Sequence, residues 1–267
     1  KKNIVLKYIG LDDATINLNR KDSVWNYQFL VDYFSGPQSN DTTSGSTNIN
    51  LEKIELNNVK LWQQDKWLGT DMLLSFGSFN LSADTLDLNK NIIHVSTLDL
   101  VHPVFTQYQY DGNKPQDTSS VAVANIEEDK NALEWNTGRW KLTIDKIQIS
   151  EGGLTFESQT NRPVYNDRFD DQHIFISNLN GSLKDLHFVD DTLHAQLNLS
   201  AQERSGLILK KLAADFKFTP KLMEFNKLDL VINKSHLTNY YAMRYKNFND
   251  DMQDFIHSVK VEGRFQN

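Results

Sequence analysis

Regular alternation of apolar and polar residues is the feature that most constrains the fold of this 267-residue chain. Residues 14–19 (ATINLN), 194–199 (HAQLNL) and 214–218 (ADFKF) each carry apolar side chains at every second position. Successive side chains of a β-strand point to opposite faces of the sheet, so this pattern predicts strands with one buried and one solvated face. Such strands are typical of antiparallel sheets, whereas layered α/β folds contain strands that are apolar on both faces. The chain is therefore predicted to be mainly β.

A repeat of apolar positions extends this pattern over longer distances. Each copy has an apolar residue at its start and further apolar or small residues two, five and seven positions later. Four segments fit: Ile9, Leu11, Ala14, Ile16; Ile54, Leu56, Val59, Leu61; Leu98, Leu100, Pro103, Phe105; and Ile147, Ile149, Gly152, Leu154. Their starts lie 45, 44 and 49 residues apart. Strand parity changes after the second position, so a bulge or tight turn has to restore the apolar face there. The repeat predicts stacked β units that share one continuous apolar face.

Three segments interrupt the alternation and indicate how the chain is organised. Residues 35–48 contain no apolar residue and are predicted to be a mobile loop, and residues 111–136 form an insertion or linker. Residues 236–257 place aromatic and methionine side chains at helical spacing, which predicts one or two short helices near the C-terminus. We expect a first β unit over 1–110 and a second over 137–267. The chain begins with Lys and ends in an interrupted strand pattern, so we interpret it as a fragment of a longer protein.

Charge, composition and motifs argue against several functional classes. The net charge of −7 has the wrong sign for a nucleic-acid binder, and the absence of cysteine removes thiol nucleophiles and thiolate metal sites. The sequence contains no phosphate-binding glycine loop, no nucleophile elbow and no pair of metal-binding histidines. The run that includes Asp170, Asp171 and His173 lacks the spacing of a calcium loop, and we interpret it as a solvated loop. We expect no enzymatic activity, no cofactor and no bound metal.

Several segments resemble a known protein family. Residues 9–18 (IGLDDATINL), followed by residues 25–29 (WNYQF), are similar to the strand–turn–strand and W-N-F/Y element that repeats in AsmA-like and TamB-like envelope proteins. The likeness continues in residues 56–67, 92–105, 210–225 and 233–248. Together they resemble the N-terminal portion of a TamB-like translocation and assembly module of the Bacteroidetes type. The resemblance covers nearly the whole chain outside the two loops.

The resemblance implies both an architecture and a cellular setting. The architecture is an elongated antiparallel sheet of stacked β units, rolled into an open U-shaped groove with an apolar lining. The setting is the periplasm of a Gram-negative bacterium, with an inner-membrane anchor and an outer-membrane assembly factor contacted through regions outside this chain. The implied ligands are phospholipid acyl chains. Movement of phospholipid between membranes and assembly of outer-membrane proteins are both open as the function.

Residues that would line such a groove follow from the alternation and the repeat. Stacked strands would align the apolar side chains of successive units into one stripe, at least part of which would be open to a ligand. The candidates are Ile16, Leu18, Leu56, Leu61, Leu154, Phe156, Phe216 and Phe218. The competing interpretation is a closed core, in which the same residues meet a second sheet.

Aromatic residues leave one alternative function open. Trp25, Tyr27 and Phe29 alternate along one segment, and further tryptophans stand near predicted strand ends. Aromatic side chains bury the most apolar surface per residue, so most of them are expected in the core. If they were exposed on a convex face beside Asp and Asn, they would favour a carbohydrate-binding or adhesive β-solenoid instead.

Overall fold

A computed structural model describes residues 7–29, 51–87, 90–115, 133–248, 251 and 254–264. The predicted loop 35–48 and most of the insertion 111–136 lie outside these residues. The described part contains β1 (Tyr8–Asp12), β2 (Thr15–Arg20), β3 (Lys53–Asp65), β4 (Thr70–Asp87), β5 (Ile92–Val101), β6 (Val104–Gln109), β7 (Lys141–Ser158), β8 (His173–Val189), β9 (Thr192–Glu203), β10 (Ile208–Thr219), β11 (Leu222–Ile232), β12 (Ser235–Arg244), α1 (Phe255–Ser258) and β13 (Lys260–Arg264). The prediction of a mainly β protein is confirmed.

All thirteen strands belong to one mixed sheet, in the order β1-β3-β4-β5-β7-β8-β9-β10-β11-β12-β13. β1 and β2 lie end to end and pair with successive parts of β3. In the same way, β5 and β6 lie end to end between β4 and β7. Ten steps of about 4.8 Å between neighbouring strands make the sheet about 48 Å wide along its surface. β1 and β13 do not pair with each other in the described residues, so the sheet is open. It also continues without interruption from the predicted first unit into the second, because β5 and β6 pair with β7.

Parallel pairing occurs at two places in the strand order, so the sheet is mixed, whereas the sequence predicted an antiparallel one. β1 and β2 run parallel to β3, and β5 and β6 run parallel to β7. The remaining neighbours are antiparallel. Parallel neighbours need a long crossover connection, and the chain between β2 and β3 and between β6 and β7 provides it. Alternation could not reveal this arrangement, because it reports which face of a strand is buried and not the strand's direction.

The sequence repeat corresponds to these parallel pairs. β1 and β2 pair with β3 at a constant offset, so that Ile9 lies beside Ile54 and Ile16 beside Leu61. β5 and β6 pair with β7 in the same way, with Leu98 beside Ile147. β4 joins the two pairs, because its Leu81 pairs with both Ile54 and Leu98. All four copies of the repeat therefore lie at the same level of the sheet, with their apolar residues on one face. We call this face, which carries Ile9, Ile54, Leu81, Leu98 and Ile147, the apolar face, and the opposite one the polar face.

Backbone irregularities occur where strand parity changes in the repeat. Asp13, Asn58, His102 and Glu151 occupy the same position of the four copies and have φ angles of 52°, 52°, 47° and 54°. Left-handed residues thus occur where a bulge or turn was predicted; the register shifts there between β7 and β8, near Gly152, but not between β3 and β4. The neighbouring Asn58 and Asp13 side chains form a hydrogen bond of 2.6 Å, with Asn58 Nδ2 as the donor. The four left-handed residues lie at one level of the sheet.

The predicted short helix near the C-terminus is confirmed, but the described helix occupies only the end of the predicted segment 236–257. Residues 235–244 form strand β12, and the described helix is the single turn α1 at Phe255–Ser258. The register between β11 and β12 shifts at Lys227, the extra residue of β11, which has a φ angle of 51°. β12 keeps its alternation: Tyr241 lies beside Phe225 on the apolar face, whereas Tyr240 lies on the polar face and donates its hydroxyl to Glu224. Aromatic residues on both faces of this strand therefore imitate helical spacing. Within the described residues, no helix is long and apolar enough to span a membrane.

Candidate functional site

The apolar face is continuous across most of the sheet. Its central row crosses eight neighbouring strand positions from β1 to β10. Pairing connects its members in the order Ile9, Ile54, Leu81, Leu98, Ile147, Leu183, Leu197 and Ala214. Seven interstrand steps of about 4.8 Å give this row a length of about 34 Å. Apolar side chains therefore extend along this whole distance; Ile147 and Ala214 are buried, and the other six are half-buried.

The eight predicted groove residues all lie on the apolar face, in two separate groups. Ile16 pairs with Leu61, and a row of paired residues leads from Leu61 through Leu74 and Phe105 to Leu154. Leu18, Leu56 and Phe156 belong to the same group. Phe216 and Phe218 lie on β10, toward the opposite ends of the strands, where Phe216 pairs with Ala195 and Phe218 with Leu193. The structure thus places the predicted residues on one surface without bringing the two groups into contact.

The apolar face is only partly buried. Ile16 and Phe156 expose 40% and 37% of their surface, and the other six predicted groove residues are half-buried. Residues of a closed core are usually buried on all sides by close packing. All described strands belong to the same sheet, so no second sheet among them covers this face. Near the centre of the face, by contrast, Val95, Ile144 and Ile147 are buried and packed together. The apolar face is thus accessible toward its edges and packed at its centre.

An apolar pocket of about 490 Å³ lies at one end of this face. Its lining residues are Trp135, Leu142, Ile144, Leu186, Phe188, Leu193, Phe218 and Phe248. The strands β7 to β10 form its floor, and two aromatic residues from outside the strands pack over Phe218. The ring of Trp135 lies 4.7 Å from that of Phe218, and the Phe248 ring meets Phe218 edge-on at 5.2 Å. The volume is within the range of about 300–1,000 Å³ that is typical of small-molecule pockets.

The segment that carries Trp135 is held in place by a carboxylate. Asp191, in the turn between β8 and β9, accepts hydrogen bonds from the backbone N–H groups of Glu134, Trp135 and Asn136 at 2.6, 3.0 and 2.9 Å. Burial tends to raise the pKa of Asp191, but these three donors outweigh it and lower the pKa below its ordinary value. The side chain of Asn136 closes the segment by accepting from Trp140 N–H and donating to Trp140 C=O. Hydrogen bonds within the chain therefore fix the wall of the pocket.

Sequence reasoning identified only Phe218 among the residues of this pocket. Trp135 and Phe248 lie outside the strands, so strand alternation does not report on them. Trp135 falls within the segment 111–136 that was predicted to be an insertion or linker. The three consecutive backbone donors to Asp191 are a tertiary feature without a sequence signal.

The interpretation of Asp170 and His173 as members of a solvated loop is wrong. Asp170 is 1% exposed and His173 6% exposed. Arg162 donates to both oxygens of Asp170 through its two terminal nitrogens, at 2.9 and 2.6 Å, and thereby holds the pKa of that carboxyl well below its ordinary value. His173 Nδ1 lies 2.5 Å from Glu157 Oε2. Asp171 alone is exposed, as predicted. Arg162 precedes this run by eight residues in an irregular loop, so local sequence did not reveal the partner.

Among the residues that the structure describes, one group of metal-ligand residue types occurs, on the polar face. Asp84, His94 and Asp145 come from β4, β5 and β7, and their ligand atoms lie within 4.8 Å of one another. His94 Nε2 is 3.0 Å from Asp145 and His94 Nδ1 is 3.7 Å from Asp84. Both imidazole nitrogens therefore face carboxylates, of which Asp84 and Asp145 are both exposed. The three positions are far apart in sequence, which is why motif analysis did not find them.

Fold and site together define a class of protein: a mainly β chain with one open mixed sheet, whose apolar face ends in a pocket lined with aromatic side chains. No family model, curated protein or solved structure matches the chain.

Proposed function

We propose that this chain is a non-enzymatic lipid-binding protein that holds phospholipid acyl chains along the apolar face of its sheet. The observation that carries the proposal is the incomplete burial of a continuous apolar surface, seen at Ile16 and Phe156 and in the open pocket at Phe218. Large exposed apolar surfaces are uncommon in soluble proteins and mark sites of interaction. An acyl chain is long, flexible and apolar, which matches a surface with a central row of about 34 Å.

The energetics of this surface fit transient passage of lipids better than tight, long-lived lipid binding. Burial of an acyl chain from water is worth roughly 0.8 kcal/mol per CH₂ group. A lipid that leaves a bilayer is already buried, so its transfer to an equally apolar face has a net free energy near zero. Such a balance lets lipids enter and leave at either end. The described apolar face does not require a strong headgroup site for this purpose.

The cellular setting of this proposal follows from the resemblance to TamB-like and AsmA-like proteins. In that setting the chain is a segment of an inner-membrane-anchored periplasmic protein, and its sheet guides phospholipid between the membranes of a Gram-negative envelope. The anchor and an outer-membrane assembly partner would be contributed by regions outside this chain. In a role in outer-membrane protein assembly, the same apolar face would bind an apolar segment of an unfolded protein.

Site-specific photo-crosslinking tests the proposal directly. A benzophenone side chain is introduced singly at Leu61, Phe156 and Phe218 on the apolar face, and at Lys60 and Lys217 on the polar face as matched controls one residue away. The purified variants are irradiated with vesicles of phosphatidylethanolamine and phosphatidylglycerol and analysed by mass spectrometry. We expect phospholipid adducts at the three apolar-face positions and none at the two lysine positions.

Two results would contradict the proposal. One is the absence of lipid adducts at all three apolar-face positions in variants that retain the melting temperature of the unmodified chain. The other is equal labelling at Lys60 and Lys217, which would mean that the reagent reports collisions with vesicles. In either case the apolar face would be an ordinary core surface.

A further inference from the structure

A second cavity lies on the polar face, at the ends of strands β3, β4, β6 and β7. It has a volume of about 330 Å³ and is lined by Lys66, Asp71, Tyr108, Tyr110, Asn113 and Gln159. Tyr108 pairs with Asp71 across β4 and β6, and both side chains point away from the apolar face. This cavity is therefore separate from the surface that the proposed lipid function uses. Each of its six side chains can form hydrogen bonds.

Backbone contacts fix the walls of this cavity. Tyr110 N–H donates to Gly69 C=O at 2.9 Å, and Asn113 N–H donates to Lys66 C=O at 2.9 Å. Gly69 has a φ angle of 76°, and a Cβ atom there would lie 1.9 Å from the carbonyl oxygen of Tyr110. The loop after β3 and the segment after β6 can thus approach each other only because glycine is present at this position. The cavity is preformed, as ligand sites usually are.

The two tyrosines give the cavity a flat aromatic surface. The rings of Tyr108 and Tyr110 are stacked, with centroids 5.4 Å apart and planes inclined by 25°. Tyr108 is 41% exposed, so its ring remains accessible. Tyr110 donates its hydroxyl to Asp71 Oδ1 at 2.9 Å. Burial, together with this hydrogen bond, raises the pKa of Tyr110 to about 12 and keeps it a neutral phenol.

Charge and chemistry narrow the class of ligand. The ammonium of Lys66 and the carboxylate of Asp71 balance each other, which favours a ligand without net charge. The carboxamides of Asn113 and Gln159 each offer donors and an acceptor, as the hydroxyl groups of a sugar require. The apolar C–H face of a pyranose ring matches a flat aromatic ring. We propose that this cavity binds one pyranose ring of a neutral saccharide, stacked on Tyr108 and hydrogen-bonded to Asn113 and Gln159.

Saturation-transfer NMR of the whole chain tests this proposal. Glucose, galactose, mannose and N-acetylglucosamine are each mixed with the protein, and magnetisation transferred from protein to sugar protons is measured. We expect transfer to at least one of the four sugars. Tyr108→Ala and Asn113→Ala should each reduce the transfer at least fivefold, whereas Tyr108→Phe, which retains the ring, should keep most of it. Thermal unfolding confirms that each variant is folded.

A matched control separates this cavity from another pair of stacked aromatic rings. Tyr27 also stacks on a neighbouring ring, that of Trp25, with centroids 5.7 Å apart. Tyr27→Ala should leave the sugar signal unchanged. Absence of transfer to all four sugars would overturn the proposal. So would transfer that survives Tyr108→Ala and Asn113→Ala in the folded chain, or that is lost in Tyr27→Ala instead.

Discussion

The N-terminal half of the sheet, strands β1 to β7, differs from the C-terminal half, strands β8 to β13, in the direction of its pairings. The N-terminal half contains both parallel pairs, connected by long crossovers. The C-terminal half is a meander of antiparallel strands. A parallel pair aligns residues at a constant sequence offset, whereas an antiparallel pair aligns them in reversed order. A linear repeat is therefore visible in the first half and invisible in the second, although both halves share one apolar face.

The halves also differ in what lies over the apolar face. At the edge of the N-terminal half, Ile16 is 40% exposed. In the C-terminal half, Phe218 is half-buried beneath the rings of Trp135 and Phe248. Trp135 reaches this position because Asp191 accepts hydrogen bonds from three consecutive backbone N–H groups. One face thus offers an open aliphatic surface at one side and a pocket lined with aromatic rings at the other.

The largest effect is expected at the strand that joins the two halves. Ile147 on β7 is buried in the cluster that also contains Val95 and Ile144. Ile147→Asp should cost about 4 kcal/mol or more, because an unpaired carboxylate replaces a packed side chain. If the sheet is one cooperative unit, circular dichroism should show the whole fold melting in a single transition at a lower temperature. Lys146→Asp, which places the same residue on the polar face of the same strand, should change the melting temperature little.

Two separate transitions in the Ile147→Asp variant, one of them at the original temperature, would contradict this expectation. They would mean that the two halves fold independently despite their shared sheet.

The second effect concerns the buried Arg162–Asp170 pair of the C-terminal half. The folded-state pKa of Asp170 is lowered, so its contribution to stability is complete well above the ordinary carboxyl pKa of about 4 and is lost as the pH falls toward the folded-state value. Asp170→Asn should therefore lower the melting temperature most near neutral pH, and the difference from the original chain should shrink below about pH 4. Melting curves over a pH series provide the measurement.

Asp171→Asn is the matched control, since Asp171 is the adjacent carboxylate and is exposed. Equal effects of the two substitutions at neutral pH would restore the interpretation of this run as a solvated loop.

A smaller effect is expected at the residues of the N-terminal half whose backbone is left-handed. Asn58 has a φ angle of 52°, a conformation that costs a β-branched residue about 1–2 kcal/mol, and Asn58→Val should lose about that much stability. The neighbouring Asn57 has no such backbone constraint, yet its side chain also donates a hydrogen bond to an aspartate, Asp12, at 2.8 Å. Chemical denaturation of both valine variants isolates the backbone contribution. If Asn57→Val cost as much, the side-chain hydrogen bond and not the backbone would determine the effect.

The smallest effect is expected at the open edge of the apolar face. Ile16→Asp should cost about 1 kcal/mol or less, because the side chain is already in contact with water. The fold should survive, while lipid crosslinking at the paired position Leu61 should weaken. A loss of stability as large as that of Ile147→Asp would show that this edge is a closed core, and it would remove the difference between the two halves.

The sequence by itself determined the class of the fold, the shared apolar face and the positions at which strand parity changes. Alternation assigned Ile16, Phe156, Phe216 and Phe218 to one face, because side-chain direction in a strand is a local property of the backbone. The repeat located the residues at which strand parity changes for the same reason. Strand β12 marks the limit of this reasoning, since aromatic side chains on both of its faces imitate the spacing of a helix.

The tertiary structure alone decided strand direction, the two pockets and the buried polar pairs. Each of these depends on residues that are distant in sequence: Trp135 over Phe218, Tyr110 beside Gly69, and β5 beside β7. Arg162 and Asp170 are closer in the chain, but the irregular loop between them has no periodicity from which a contact could be inferred. Local patterns report which way a side chain points, and only the folded chain determines what it meets there.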